Sequence, residues 1–261
     1  MKQLIKKGWR PVSVIILFII VWEVACQAFE IPTWLLPPPS DIWNEAINGW
    51  GQYSKHISST VQLAVVGFLV GSSIGIIVAI LLYLIPFMRD AFYPVLIISQ
   101  NIPVIVSAPL LIIWFGFGML PKVIIITLVC FFPITIAALD GFRQTNRDLL
   151  HYMQMAGASK LQIFKKLEWP HALPAVFSGL KISATYSVMG AVISEWLGAN
   201  KGIGVYMTLA SSSFRTDRVF VAIILVIILS LLFFSLIVYI EKKLVHWKPK
   251  EEGNAHESFN H

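Results

Sequence analysis

The sequence predicts an all-α integral membrane protein with six transmembrane helices, and three observations carry that expectation. Of its 261 residues, 57% are hydrophobic and only 13% charged, against about 25% charged in a typical soluble domain. Six apolar segments recur along the chain, each with the length and composition of a membrane helix. The basic residues cluster beside those segments rather than along one polar face, so the net charge of +6 does not point to nucleic acid.

Taken in order, the first segment covers residues 12–29 and follows Lys2, Lys6, Lys7 and Arg10, as a signal peptide would. No small-x-small cleavage site follows, and Glu23 interrupts the run that a lipid-attachment Cys26 would need. An uncleaved first helix is therefore expected. Residues 31–39, IPTWLLPPP, read as a rigid extended stretch, because proline fixes the backbone and removes donors. Ser40 or Asp41 is then placed to cap a short helix carrying Trp43, Ala46, Ile47 and Trp50 on one face, a pattern suited to the membrane surface.

The second segment, residues 60–85, has Gly67, Gly71 and Gly75 at every fourth position. That stripe permits close helix approach, and packing within the subunit is favoured over a dimer contact. The third, residues 91–117, is interrupted by Pro94, Pro103 and Pro109, with Ser99, Gln100, Asn101 and Ser107 between them. Broken backbone at membrane depth needs protein or a water-filled cavity around it. Gln100, Asn101 and Ser107 are therefore candidates for lining a pathway, with a proline-kinked packing helix the equal alternative. The fourth segment covers residues 123–139, the fifth 176–197 and the sixth 219–240; the polar tail after Trp247 has the composition of a disordered segment. Cys26 and Cys130 each sit inside an apolar run and read as packing residues.

With the N-terminus inside, fourteen Lys and Arg fall in inner segments and five in outer ones. The positive-inside rule then predicts both termini in the cytoplasm of a multi-pass cell-membrane protein. Two ionisable residues lie in the fifth segment. Glu195 is an even candidate for a gate or an external contact, and Lys181 a weaker one; about 21 Å separates them along a helix, so they cannot pair within it.

The longest polar stretch between two spans is residues 151–174, HYMQMAGASKLQIFKKLEWPHALP. Gly157, nine residues, then Leu167-Glu-Trp-Pro170 resembles the cytoplasmic signature of binding-protein-dependent ABC transporter permeases, an EAA triplet followed by Gly, nine residues and I-x-L-P. The triplet positions depart, holding His151, Tyr152 and Met153. The likeness runs over residues 31–243. Leu36-Pro-Pro-Pro-Ser40, residues 60–75, residues 108–118 (APLLIIWFGFG), Phe131-Phe-Pro-Ile134, Gly179-Leu-Lys181 and Gly202-Ile-Gly204 all fit. Together with the loop these are seven motifs in order, and residues 108–118 and Phe131-Phe-Pro-Ile134 resemble the branch serving sulfonates, taurine, nitrate and certain vitamin precursors.

The resemblance implies a type I importer permease fold, with residues 1–57 as an N-terminal helix and surface helix, 58–243 as the permease domain and 244–261 as a tail. It implies a coupling helix around residues 157–164 that seats in a cytoplasmic ATPase, with Gly157, Ala158, Ser159, Lys160, Leu161, Phe164 and Pro170 as the coupling residues. Gly157, Ala158 and Ser159 allow close backbone approach, Leu161 and Phe164 offer an apolar knob, and Lys160, Lys165 and Lys166 suit an acidic rim. No G-x-x-x-x-G-K-[ST] occurs, so the chain carries no P-loop and ATP hydrolysis is expected on a separate subunit. The implied partners are ABC ATPase subunits, an extracytoplasmic solute-binding protein, a second copy of this chain and membrane lipid, with no cofactor on this chain.

Ser194-Glu-Trp-Leu-Gly-Ala199, Phe131-Phe-Pro-Ile134 and Asp140-Gly141 look most like permeases for the thiamine pyrimidine precursors hydroxymethylpyrimidine and formylaminopyrimidine. A flat heterocycle would stack on Trp114 or Trp196 if either faces the pathway. The alternatives are aliphatic sulfonate, taurine, nitrate or riboflavin. A self-contained ion-coupled carrier would need paired intramembrane charges or an inverted repeat, and neither is legible. A membrane enzyme would need clustered catalytic groups, and His151 and His171 lack metal-site spacing.

Overall fold

Three helix-compatible apolar runs build the centre of the protein, and small residues decide how closely they approach. The computed structural model describes residues 2–246, and every regular element among them is helical. In chain order these are α1 (Lys2–Ala28), α2 (Pro39–Asn48), α3 (Trp50–Leu84), α4 (Pro86–Ser99), α5 (Val104–Phe115), α6 (Met119–Arg143), α7 (Arg147–Met155) and α8 (Lys160–Ile163). A five-residue π-helical turn, Phe164–Glu168, follows, then α9 (Trp169–Glu195), α10 (Ile203–Ser212) and α11 (Thr216–Leu244). The polar tail expected after Trp247 lies outside the described residues.

Helices α3, α6 and α11 are each long and apolar enough to cross a membrane, as is the continuous 36-residue rod Lys160–Glu195. The expected third span is not one helix. Helices α4 and α5 meet at a 100° bend and form either a broken fifth crossing or a re-entrant pair. The cause is local: Pro103 has no N–H to offer a helix and biases Ile102 away from helical backbone. The apolar stretch Val12–Ala28 of α1 is shorter than the four clear spans. The six segments are thus found in order, but four stand as straight spans.

Helix α6 is the central element, with α3 and α9 packed against it and against each other, and α11 packs on α9. The glycine stripe of α3 makes the first contact possible. A methyl group on Gly67 would come 2.4 Å from Ile126, on Gly71 2.8 Å from Cys130, and on Gly75 3.1 Å from the Phe131 carbonyl. The stripe therefore packs within the subunit, as expected. On α9, Gly179 approaches the Pro133 carbonyl equally closely. Lipid is as apolar as leucine, so helix association in a membrane rests on close packing and interhelical hydrogen bonds rather than on burying large side chains. The core agrees: Ala64, Ala138, Ala184, Ala191 and Cys130 are wholly buried, while Leu69, Ile77, Leu231 and Leu236 face outward. Ser183 donates to the Cys130 carbonyl (2.8 Å) and Thr135 to the Gly75 carbonyl (3.2 Å), cross-linking α9 to α6 and α6 to α3.

The surface helix α2 forms where expected, but Ser40 and Asp41 do not cap it; Pro38 holds the cap position without a side-chain bond. Ser40 instead bonds the Glu23 carboxylate through both its N–H (3.0 Å) and its hydroxyl (2.9 Å), tying α2 to α1. Trp43, Ile47 and Trp50 are exposed while Ile42 is buried, so the outward face is the aromatic one.

Candidate functional site

Among the described residues, 143–168 form the lengthy polar insertion between long spans, and its local sequence explains its shape. Asn146 caps α7 through its side chain, accepting from the N–H groups of Asp148 (2.8 Å) and Leu149 (3.3 Å). Gly157 then turns the chain at φ +79°, a conformation other residues adopt only under strain. Ser159 starts α8 with a reciprocal capping box: its hydroxyl accepts from Gln162 N–H, and the Gln162 side chain accepts from Ser159 N–H. The result is a helix–turn–helix with α7 lying outside the span and α8 continuing through the π turn into α9.

Its faces are sorted. Leu149, Tyr152, Met155 and Leu161 are exposed apolar groups around the Gly157 turn, and Met155 is 81% exposed. Lys160, Lys165 and Lys166 are exposed and form no ion pair among the described residues. Ala158 and Pro170 are half-buried and Ser159 exposed. Phe164 departs from the expected role. It turns inward against Tyr83, Phe142 and Trp169, with ring centroids 5.6–6.5 Å away, so only Leu161 of the expected pair is free to act as a knob. The expected single helix over 157–164 is likewise a turn plus one helical turn, while the nine-residue α7 supplies most of the exposed surface.

The pathway candidates separate into two regions. Gln100 and Asn101 sit together, exposed, at the α4–α5 bend, where Asn101 Nδ2 donates to the Ile97 carbonyl (2.9 Å). Ser107 is half-buried and Trp114 is 68% exposed farther along α5. Trp196 is exposed at the end of α9, whereas its neighbour Glu195 is 2% exposed and points into the protein. Glu195 accepts the Thr60 hydroxyl on one oxygen and Gly204 N–H on the other, both at 2.8 Å. Thr60 Oγ1 in turn accepts Ile203 N–H (2.8 Å), and His56 Nδ1 accepts Gly202 N–H (3.0 Å). Three successive N–H groups at the start of α10 are thereby satisfied by side chains, as a buried helix start requires. Gly202 has φ +134°, and a methyl group there would fall 2.0 Å from the Glu195 carboxyl carbon. This places Glu195 as a buried cap rather than on an open surface.

Lys181 is also partnered. Its Nζ lies 3.0 Å from Glu241 on α11, and both side chains are mostly buried. No spacing within α9 could have shown this, since the partner is 60 residues away. Sequence reasoning missed α10 as well. Its ten residues are too few for a span, and the signal was the Gly202-Ile-Gly204 pair that lets it start against Glu195. A third missed feature lies at the same end: Arg215 pairs with Glu45 (2.9 Å) and Asp217 (2.7 Å), and Arg218 with Glu45 (3.0 Å), joining α2 to the start of α11. Beside this network is a cavity of about 250 Å³, with Trp34 and the exposed Phe214 at its rim.

Comparison with known proteins agrees with this architecture. Residues 71–246 match the model of the binding-protein-dependent transport system inner membrane component. The formylaminopyrimidine transport permease ThiX of Halalkalibacterium halodurans is 33% identical over 243 residues, covering 93% of this chain and 97% of that protein. The putative aliphatic sulfonates permease SsuC of Bacillus subtilis is 28% identical over 251 residues, covering 94% of this chain and 90% of that protein. A chain of an inward-facing MetNI methionine ABC transporter shares the fold, with a TM-score of 0.61 at 20% identity, over 74% of this chain and 94% of that one. This multi-pass membrane protein is therefore a member of the binding-protein-dependent ABC transporter permease family.

Proposed function

We propose that this chain is the permease subunit of an ABC importer for a pyrimidine precursor of thiamine, hydroxymethylpyrimidine or formylaminopyrimidine. The observation that carries the permease role is the exposed helix–turn–helix over residues 147–163, built around Gly157 and continuous through α9 with a membrane span. Such an element can receive a push outside the membrane and deliver it to the span. Leu149, Tyr152, Met155 and Leu161 then form the apolar contact with a cytoplasmic ATPase, and Lys160, Lys165 and Lys166 its charged rim. This orientation puts both termini in the cytoplasm, in accord with the distribution of Lys and Arg. The opposite end, with α2, Trp34, Phe214 and the Arg215 network, faces the solute-binding protein.

The substrate reading is supported by the near full-length similarity to ThiX and by the Ser194–Ala199 motif. The similarity to SsuC supports sulfonate as the second reading. The apolar, unpacked faces of α4 and α5, where Ile98, Ile105, Val106 and Ile113 are exposed, support a second copy of the chain as the other half of the pathway. Gln100, Asn101, Ser107 and Trp114 line it in this reading, with Trp114 and Trp196 offering flat surfaces for a heterocycle. Uptake of labelled formylaminopyrimidine and hydroxymethylpyrimidine by cells with and without the gene tests the proposal, with taurine and an alkanesulfonate as competitors. Loss of pyrimidine uptake alone is the expected result. Loss of sulfonate uptake instead removes the pyrimidine and keeps the permease.

A further inference from the structure

The π turn Phe164–Glu168 stands where the rod leaves the exposed segment and enters the span. π-Helical turns have looser hydrogen bonding than α-helix and recur at functional sites. Left to itself, such a turn is where a push on α7 and α8 would bend the rod instead of moving it. The structure braces it. Glu168, the last residue of the turn, is 7% exposed and accepts the Tyr83 hydroxyl at 2.7 Å. Tyr83 lies at the end of α3, and its ring stacks on Phe142 of α6 at 4.8 Å between centroids and 26° between planes. Phe142 in turn meets Phe164 (5.6 Å) and Trp169 (6.0 Å), one on each side of the turn. A carboxyl group is costly to bury for packing alone, and among the described residues Tyr83 is the side chain that hydrogen-bonds this one.

We propose that the Tyr83–Glu168 hydrogen bond is a positioning clamp, fixing the π turn to α3 and α6 so that displacement of the exposed segment moves three helices together. The aromatic rings supply contact area but little direction, since stacked rings slide. The hydrogen bond is directional and sets the register between α3 and the rod. The clamp rests on the permease reading, because it is the coupling of an ATPase to transport that it serves.

The test uses the permease co-purified with its ATPase, with two readouts: hydrogen–deuterium exchange over residues 160–168, and formylaminopyrimidine uptake per ATP hydrolysed in proteoliposomes supplied with the binding protein. Tyr83→Phe removes one hydroxyl and keeps the ring. Exchange over 160–168 is expected to rise about tenfold, the equivalent of one buried hydrogen bond, and uptake per ATP to fall at least as far while hydrolysis stays within twofold. Glu168→Gln keeps a carbonyl acceptor for Tyr83 and is expected to match the wild type in both readouts; Glu168→Ala is expected to match Tyr83→Phe. A Tyr83→Phe protein with wild-type exchange and wild-type coupling overturns the clamp. If the wild-type complex hydrolyses ATP without pyrimidine uptake, the substrate reading falls, and if no ATPase co-purifies, the permease coupling falls. In both cases the exchange comparison still decides whether the bond holds the turn.

Discussion

Glu168 and Glu195 close the two ends of α9, and both carboxyl groups are buried, yet the protein satisfies them in opposite ways. Glu195 receives one donor on each oxygen, and one of these is a backbone N–H that no side-chain change can remove. Its surroundings leave no slack: Gly202 and Gly204 are glycines because any side chain there would overlap the carboxylate or the Val192 carbonyl. Glu168 receives a single side-chain donor from another helix, amid sliding aromatic contacts. A group held on both oxygens, once by backbone, keeps a partner whatever one side chain does, whereas one held by a single removable bond can tune how two bodies move. The α10 end of the rod is thus the more rigidly held, and the α7 end, in the proposed clamp, the one that transmits motion.

The largest expected effect would break the first half of that comparison. Gly202→Val places a branched side chain at φ +134° and into Glu195. It should cost about 4 kcal/mol or more, as overpacking and backbone strain act together. Loss of monodisperse protein on size exclusion would show it; a well-folded variant would mean that the cap is loose. Glu195→Ala comes next. It strands the Gly204 N–H in a buried site and leaves the Thr60 hydroxyl only the His56 carbonyl (3.2 Å), at about 2–3 kcal/mol, whereas Glu195→Gln keeps an acceptor and should cost about half as much. A thermal-melt series in detergent separates the three.

The Lys181–Glu241 pair sharpens the same comparison from within the rod. Lys181→Met leaves Glu241 without its partner and should destabilise by about 2 kcal/mol, while the double change with Glu241→Leu should recover most of that loss, because a buried pair replaced whole by apolar groups is often neutral. A double variant as unstable as the single one would show that Lys181 serves something beyond Glu241. Tyr83→Phe is expected to cost only about 1–2 kcal/mol in the same melt, well below Glu195→Ala, although its effect on coupling is the greater. The smallest effect belongs to Arg218→Gln in the rim network, at about 0.5–1 kcal/mol, since Glu45 keeps its ion pair with Arg215.

Much of this protein could be read from its residues. Where one physical rule acts along the chain, the reading held: apolar length marked α3, α6, α9 and α11, and the four-residue glycine spacing marked the face of α3 that meets α6. It stopped at residues whose role depends on a distant partner. Glu195 invited a gate reading because an intramembrane acid is costly, and the structure supplies the cost with Thr60 and Gly204. Phe164 looked like a surface knob beside Leu161, although the two lie three residues apart and the π turn carries the phenylalanine inward. Pro103 announced a break in the third segment, but no local rule gives the 100° angle at which α5 departs.

By itself, then, the sequence determined that the chain is a helical membrane protein, which segments are apolar, where the long polar stretch between two spans lies, and to which family its motifs belong. These follow from composition, periodicity and backbone preference, all of which act between neighbours. Only the tertiary structure decided that Glu195 caps α10, that Lys181 meets Glu241, and that Tyr83 holds Glu168. The physical reason is that a buried polar group takes its meaning from whichever donor or acceptor the packing of other helices brings within about 3 Å, and Glu241, Tyr83 and Thr60 stand 60, 85 and 135 residues from Lys181, Glu168 and Glu195 in the chain.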